Sequence, residues 1–169
     1  MLRQPVVHLT IASAGVKTLF GATDRGARWT FVDSLAALRR VLEMTARQAG
    51  PATLDLIGHS VRAGQLLRLG TDVIDLLQPR IERFFRALAE DRVLERLDVH
   101  ALRLIGCETA VQPTAQRTIK RLARVLEMPV FGSMKNLRRA HYDTRGFAPV
   151  FEYLLLDHTQ LPTPPRPLR

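Results

Sequence analysis

Two short apolar segments of the sequence each end next to a residue that can act as a base or a nucleophile. The segment "TLDLIG" (53–58) precedes His59, and "ALRLIG" (101–106) precedes Cys107. Short β-rich runs predict strands, and ligands bind at the edge of a parallel sheet where the carboxyl ends of the strands meet. A thiolate at this edge can attack a carbonyl carbon while a neighbouring imidazole protonates the leaving amine. If the two strands are neighbours, Cys107 and His59 can form such a pair.

Two other interpretations of these segments fail on spacing. Gly58-His59-Ser60 has the start of a serine-hydrolase nucleophile elbow, which also needs a glycine two residues after the serine because a side chain there blocks the tight turn. Arg62 occupies that position. A phosphatase-type cysteine needs an arginine at the position that Pro113 occupies here. We therefore set both chemistries aside.

Patterns along the chain predict the strands that position these residues. In addition to the two segments above, strands are predicted at 6–12, 28–32 and 128–133. A small hairpin is predicted around Gly70-Thr71, where the glycine permits a tight turn. The segment 146–158 fits either a strand or a short helix, and both alternatives stay open.

Amphipathic helices are predicted between these strands. They run from Asp33 or Ser34 to about residue 48, from residue 79 to about residue 97, and from residue 113 to residue 126. Their apolar side chains at helical spacing are Leu35, Leu38, Leu42 and Ala46 in the first, Ile81, Phe84, Phe85 and Leu88 in the second, and Ile119, Leu122, Ala123 and Leu126 in the third. Strands that alternate with helices predict an α/β fold, a three-layer αβα sandwich with a mostly parallel sheet.

Length and composition predict the domain organisation. With 169 residues and 46% hydrophobic content, the chain is long enough for one domain with a sizeable core. We expect this domain to span 1–158. The proline-rich segment 159–169 is expected to be a disordered tail.

Cysteine and histidine usage limits the possible chemistry. Cys107 is the single cysteine, which excludes an intrachain disulfide and a cysteine-rich zinc site. The histidines lack the spacing of metal ligands. We therefore expect no metal site.

Charge and hydropathy narrow the choice of partners. The net charge is +9, but the basic residues are spread over several predicted helices and no nucleic-acid-binding motif accompanies them, so we interpret them as solvated faces. No apolar run reaches the roughly 18 residues of a membrane span. Residues 6–11 alternate apolar and polar side chains, which favours a strand over a signal peptide. We expect a cytoplasmic protein that binds neither nucleic acid nor membrane.

The start of the helix after Cys107 has two alternatives. Thr109 and Gln112 fit a capping box, which would place the thiol within about one turn of the helix dipole. Pro113 also fits the first helical position and would place the helix start farther from the thiol. The sequence does not decide between them.

The two motifs resemble those of the caspase-like cysteine peptidases of clan CD, closest to the bacterial CHAT-type branch. In that branch a strand with a histidine-glycine motif precedes a strand that ends in Cys-Glu-Thr. "LDLIGHS" followed by the hairpin, and then "LRLIGCETA", have this order over residues 53–133. The resemblance implies a caspase-like α/β fold, with Cys107 as nucleophile, His59 as general base and acid, and no cofactor.

Further roles follow from the resemblance alone. It implies an oxyanion hole formed by the backbone N–H groups of Ser60 and Cys107. Ser60 stands where the family usually has glycine, and Ile105 stands where arginine-specific relatives often carry an acid. Cleavage after a basic residue is therefore not expected. The segment after Phe131 corresponds to the family's substrate-binding strand, so the candidate pocket residues are Ser133, Met134 and Lys135.

We expect a cysteine endopeptidase that cleaves a specific protein partner through a Cys-His dyad and an acyl-enzyme intermediate. Control would come from a regulatory protein or from a homodimer. The alternative is a catalytically inactive caspase-like module that binds a peptide or protein partner, because a fold alone does not define an activity. The polar cluster His141, Tyr142 and Asp143 either helps to bind substrate or forms a surface turn, and the predicted loop favours the turn.

Overall fold

The computed structural model describes residues 6–17 and 29–162. The described strands are β1 (Val7–Ser13), β2 (Thr30–Val32), β3 (Ala52–Ile57), β4 (His59–Ser60), β5 (Leu67–Leu69), β6 (Asp72–Val73), β7 (Val99–Ile105), β8 (Val130–Ser133), β9 (Tyr142–Asp143), β10 (Gly146–Phe147) and β11 (Leu155–Asp157). The described α-helices are α1 (Leu35–Met44), α2 (Pro79–Glu90), α3 (Val93–Arg96) and α4 (Pro113–Leu126). Short 3-10 helices span Ala14–Val16, Arg139–His141 and Pro149–Leu154.

Six of the described strands form one sheet in the order β11-β8-β7-β3-β1-β2. All neighbours in this sheet are parallel except β11, which is antiparallel to β8. The predicted α/β class and the mostly parallel sheet are therefore confirmed. The central strands β3 and β7 are buried on both faces, which explains why their sequences are nearly continuous apolar runs.

The α-helices pack against one face of the sheet. Because side chains alternate along a strand, Leu54 and Leu56 of β3 and Leu102 and Leu104 of β7 point to the same side. These leucines form one buried core with the inward side chains of all four described helices. This helix-covered face contains most of the apolar core.

The opposite face is covered differently. Ile57 and Ile105 point to this side and form a smaller buried cluster with Phe147 and Leu155. In the described part of the chain, 3-10 helices and the β9–β10 hairpin cover this face instead of α-helices. Layers on both faces are compatible with the predicted three-layer sandwich, and the part of the second layer that the structure describes consists of 3-10 helices and a short hairpin.

Helix α1 is shorter than predicted. Of the two predicted caps, Asp33 and Ser34, the structure uses Ser34, whose side chain caps the amino end of the helix. Thr45 leaves the helical conformation, with ψ 132°, and its hydroxyl donates to the carbonyl of Val41 at 2.7 Å. The helix therefore ends at Met44, and the prediction that Ala46 faces the core is wrong because Ala46 lies exposed beyond the helix.

The predicted helix from residue 79 to about residue 97 is interrupted. Helix α2 starts at Pro79 as predicted but ends at Glu90. Arg92 then adopts a left-handed conformation with φ 52°, which breaks the helix, and α3 follows as a separate turn. Helix α4 has the predicted bounds, and its four predicted inward side chains are all buried.

The carboxyl-terminal part of the described chain combines both alternatives left open for 146–158. A 3-10 helix, Pro149–Leu154, is followed directly by β11. Leu161 is only 4% exposed and packs into the main core, so the core extends into the segment predicted as a tail. Residues 163–169 of that predicted tail lie outside the described residues.

A second, three-stranded antiparallel sheet follows β3 in the order β4-β5-β6. The predicted hairpin at Gly70-Thr71 joins β5 to β6. The Gly70 amide donates to the Ser13 hydroxyl, and the Thr71 amide donates to the Asp33 carbonyl, each at 2.8 Å. These bonds fix the small sheet to the carboxyl ends of β1 and β2, so that β4 holds His59 over the edge of the main sheet.

Candidate active site

His59 and Cys107 occupy equivalent positions after two neighbouring strands. In the parallel register of β3 and β7, Ile57 pairs with Ile105, and each candidate residue follows two positions later. The Gly58 amide donates to the carbonyl of Ile105 at 3.1 Å and continues the pairing for one more residue. The structure therefore brings both residues to the carboxyl edge of the sheet.

The glycine before each candidate residue permits close packing at this edge. A Cβ atom on Gly58 would lie 2.2 Å from the backbone oxygen of Arg68 in β5. A Cβ atom on Gly106 would lie 2.6 Å from a methyl carbon of Leu67 and 3.0 Å from the Ser60 hydroxyl. Only glycine at these positions lets the small sheet approach both strand ends.

His59 and Cys107 line the same small cavity, with a volume of about 150 Å³. The His59 side chain is exposed and Cys107 is half-buried. The other lining residues come from the carboxyl edge of the sheet and from the segment before β9: Val16, Ile57, Gly58, Leu137, Arg138, Arg139 and Tyr142. The cavity therefore opens above the face of the sheet that the irregular segments cover.

The hydrogen bonds of the thiol are made with the backbone of Leu137. The Leu137 N–H donates to the Cys107 Sγ at 3.3 Å, and the thiol lies 3.7 Å from the Leu137 carbonyl oxygen. Among the described residues, no hydrogen bond joins the thiol to the His59 ring. In this arrangement the two reactive groups share a cavity, while the segment around Leu137 lies against the sulfur.

Ser60 links the histidine motif to the cysteine motif. Its hydroxyl donates to the carbonyl oxygen of Cys107 at 2.5 Å. Ser60 lies in β4 and is not among the described residues with positive φ, so its backbone does not require glycine. Serine at this position therefore adds a contact to the turn that carries the thiol without straining the backbone.

The residue after the cysteine has a strained backbone. Glu108 has φ 55°, a left-handed conformation that is uncommon for residues with a side chain. Its carboxylate accepts a hydrogen bond from the Gln65 amide, and its own N–H donates to the carbonyl of Lys135 at 3.0 Å. Strained residues that are held by several contacts cluster at functional sites.

Buried hydroxyl groups hold the turn between β7 and α4. The Thr109 hydroxyl donates to the Leu104 carbonyl at 2.7 Å and accepts from the Ser133 N–H at 2.9 Å, while the Ser133 hydroxyl donates to the Gly106 carbonyl. Thr109 therefore does not cap the helix. Helix α4 begins at Pro113 without a side-chain cap, so the structure adopts the more distant of the two predicted starts.

The candidate pocket residues after Phe131 follow strand β8, next to the turn that carries Cys107. Ser133 is fully buried, and the Met134 amide donates to the Leu154 carbonyl at 3.0 Å. Lys135 contributes its backbone carbonyl to the turn at Glu108. None of the three lines either of the two cavities at His59, and their role in a substrate pocket stays a prediction.

The structure places Tyr142 in the lining of the candidate-site cavity. The sequence favours a surface turn for this residue over a role in substrate binding, but its ring is half-buried and lies 5.9 Å from the Trp29 ring and 5.8 Å from the Phe147 ring. Burial, with a smaller contribution from the nearby Cys107, raises the pKa of Tyr142 above its usual value. Leu137 and Arg138 also line the cavity, and they lie in a segment without regular periodicity, so no sequence signal pointed to them.

A larger cavity adjoins the first one at His59. It has a volume of about 480 Å³ and lies between the main sheet and the small sheet. Its lining includes Ser60, Arg62 and Arg68 in addition to His59. A chain bound in this larger cavity would pass next to the imidazole.

Comparison of the chain with protein-family models, with curated proteins and with solved structures finds no match. Within residues 6–17 and 29–162, no group of three or more His, Cys, Asp or Glu side chains is arranged to hold a metal ion. No described helix is long and apolar enough to cross a membrane. Fold and site together define an α/β protein with a cysteine and a histidine at the carboxyl edge of a mostly parallel sheet.

Proposed function

We propose that this protein is a caspase-like cysteine endopeptidase in which Cys107 is the nucleophile and His59 is the general base and acid. The observation that carries the proposal is the register of β3 and β7, which brings both residues to one cavity at the carboxyl edge of the sheet. Nucleophilic catalysis by cysteine needs a thiol and a base in this kind of proximity. The order of the two motifs, with the small sheet between them, is the order that the resemblance requires.

The proposed reaction proceeds through an acyl-enzyme. His59 accepts the thiol proton, and the Cys107 sulfur attacks the carbonyl carbon of the scissile peptide bond. The resulting tetrahedral oxyanion is stabilised by the backbone N–H groups of Ser60 and Cys107. The protonated His59 then donates to the leaving amine, and water hydrolyses the thioester with His59 acting as base.

Access of a peptide chain to the sulfur requires a rearrangement around Leu137. The cavity of about 150 Å³ is smaller than the roughly 300–1,000 Å³ of typical ligand pockets. The Leu137 backbone also occupies the hydrogen-bonding positions of the thiol. Binding of a substrate or a regulatory partner would displace this segment, and the adjoining cavity of about 480 Å³ would receive the substrate chain.

The contact between the Cys107 thiol and the Leu137 backbone favours a second candidate function. A thiol bonded to a backbone and not to the imidazole is the arrangement expected of an inactive module that uses the cleft to hold a peptide. In that case peptide binding would not depend on Cys107 chemistry. Replacement of Cys107 therefore distinguishes the two functions, because it would abolish peptide cleavage but leave peptide binding unchanged.

A peptide library prepared from digested protein and analysed by mass spectrometry tests the proposal without assuming a specificity. We expect cleavage by the wild type, no cleavage by Cys107→Ala, and at least about a hundredfold slower cleavage by His59→Ala, since a positioned base contributes about that much. His100→Ala is the matched control, because His100 is exposed on β7 away from the cavity. Peptide capture that is equal in wild type and Cys107→Ala, with no turnover in either, would support the binding module instead.

A further inference from the structure

A groove on the outer side of α4 is separate from the candidate active site. It has a volume of about 540 Å³ and shares no lining residue with the two cavities at His59. Four basic side chains of the helix line it, namely Arg117, Lys120, Arg121 and Arg124.

Most of these cations lack an acidic partner. Arg121 pairs with Glu82 at 2.9 Å. Arg117 bonds to the carbonyl of Pro113, in its own helix, and Lys120 bonds to the carbonyl of Pro162. Within the described residues, Arg117, Lys120 and Arg124 form no ion pair, and no acidic residue lines the groove. Local positive charge therefore remains uncompensated along one side of the groove.

The groove also has an apolar component. Leu77 is 43% exposed, and Pro113 and Pro162 are exposed beside it. The aliphatic stems of arginine and lysine add further apolar surface while their charged ends stay in water. A simple solvated helix face would be convex and polar, whereas this surface combines a concave apolar floor with cations along its side.

We propose that this groove docks an acidic segment of a partner protein, in which acidic side chains flank an aliphatic or aromatic one. Arg117 and Arg124 lie about 10 Å apart along the helix axis, which corresponds to about three residues of extended chain. Two acidic side chains that are three positions apart in an extended segment therefore reach the two cations, and an apolar side chain between them lies on Leu77 and the prolines.

Charge argues against other occupants. The chain's own residues 163–169 carry Arg166 and Arg169 and no acid, so they do not complement the groove. A second copy of the chain carries the same net charge of +9. Nucleic acid would match the charge but would not use the apolar floor, because protein–nucleic acid affinity depends mainly on phosphate contacts.

The test measures binding of a short fluorescein-labelled peptide in which Glu-Asp pairs flank a leucine. Fluorescence anisotropy is recorded with the wild type and with Arg117→Glu/Lys120→Glu/Arg124→Glu. The matched control is Arg40→Glu/Arg47→Glu/Arg83→Glu, which changes the net charge equally at exposed positions elsewhere. Circular dichroism and thermal melting verify that both triple variants fold.

We expect the groove variant to bind the peptide at least about tenfold more weakly than wild type, and the control variant to stay within about twofold of wild type. The reason is that charges in direct contact with the peptide affect binding more than the net charge of the protein does. Leu77→Ser and a leucine-to-serine peptide are each expected to weaken binding by about threefold or more. Equal losses in the groove variant and the control would overturn the proposal, as would the absence of wild-type binding. A labelled single-stranded oligonucleotide that binds the groove more tightly than the peptide would also overturn it, in favour of nucleic acid.

Discussion

The two faces of the central strands β3 and β7 differ in chemistry. On the helix-covered face, both strands present apolar side chains, mainly leucines, and these pack into one continuous core. On the opposite face, Asp55 and Arg103 form a buried, doubly hydrogen-bonded ion pair, with one of the two bonds at 2.6 Å. The Arg103 guanidinium also pairs with Glu152 at 2.8 Å, and His8 lies beside it.

One face of the sheet therefore has an ordinary apolar core, whereas the other face buries charged side chains. Buried ion pairs are weak evidence for stability, because removing two charges from water offsets their attraction. The candidate active-site cavity opens above this same face, with Ile57 and Tyr142 shared between the cavity and the small apolar cluster. Sequences tend to violate packing rules near functional sites. The charged residues around Arg103 and the candidate site therefore lie on the same side of the sheet. The helix-covered side contains most of the apolar core.

The largest expected effect comes from breaking the ion pair. Arg103→Met leaves the fully buried Asp55 carboxylate without its partner, and we expect a loss of about 3–5 kcal/mol in the free energy of unfolding. The double variant Asp55→Leu/Arg103→Met is expected to recover most of that loss, since apolar replacements of buried pairs are often neutral. Chemical denaturation of both variants measures this. A double variant as unstable as the single one would show that the pair itself stabilises this face.

A comparable test of the helix-covered face removes a buried leucine. Leu102→Ala, at a fully buried position, is expected to destabilise the protein by about 2–5 kcal/mol through lost burial and the cavity left behind. The exposed Leu77→Ala is the control and should change stability by less than about 0.5 kcal/mol. Equal effects at both positions, measured by denaturation, would contradict the assignment of the core.

A smaller effect is expected at the junction between the two motifs. Ser60→Ala removes the hydroxyl that donates to the Cys107 carbonyl, so the free energy of unfolding should fall by about 1 kcal/mol. Ser60→Gly, which restores the residue usual in the resembled family, removes the same bond and should lose at least as much. Unchanged stability in both variants would show that the bond contributes nothing to the turn.

The last effect concerns the pH dependence of the charged face. Burial lowers the pKa of His8 below 6.5, an effect that Asp55 partly offsets and Arg103 reinforces. Below pH 6.5 the unfolded chain then binds more protons at this position than the folded chain, so stability falls as pH drops from 6.5 toward the folded pKa. His8→Gln should reduce this slope in urea denaturation series. The same slope in wild type and variant would contradict the role of His8.

The strands and helices of the fold could be predicted from the sequence, because burial of one side of each element imposes a regular spacing on its apolar residues. The apolar runs before His59 and Cys107 predicted two strands that end at the same edge of the sheet, and the helical spacing from Pro113 onward predicted α4. Helix α1 was predicted too long because Ala46 fits the helical period although Thr45 has already left the helix.

The surroundings of the thiol could not be predicted in this way. Leu137 and Tyr142 lie in segments too short to carry a periodic pattern, and their positions beside Cys107 arise only from tertiary packing. The pairing of Asp55 with Arg103 likewise depends on the register of β3 and β7, which sequence spacing alone does not determine. The sequence therefore singled out the two candidate residues, while their mutual arrangement is a property of the folded chain.

The most direct test of the proposed Cys-His pair is the rate at which iodoacetamide alkylates Cys107 at neutral pH. The rate is compared in wild type, His59→Ala and the control His100→Ala, with folding verified by circular dichroism. Because the thiolate is the reactive species, a working pair predicts labelling at least about tenfold slower in His59→Ala than in the other two proteins. Equal labelling rates in all three folded proteins would contradict the pair and leave Cys107 as a structural cysteine beneath Leu137.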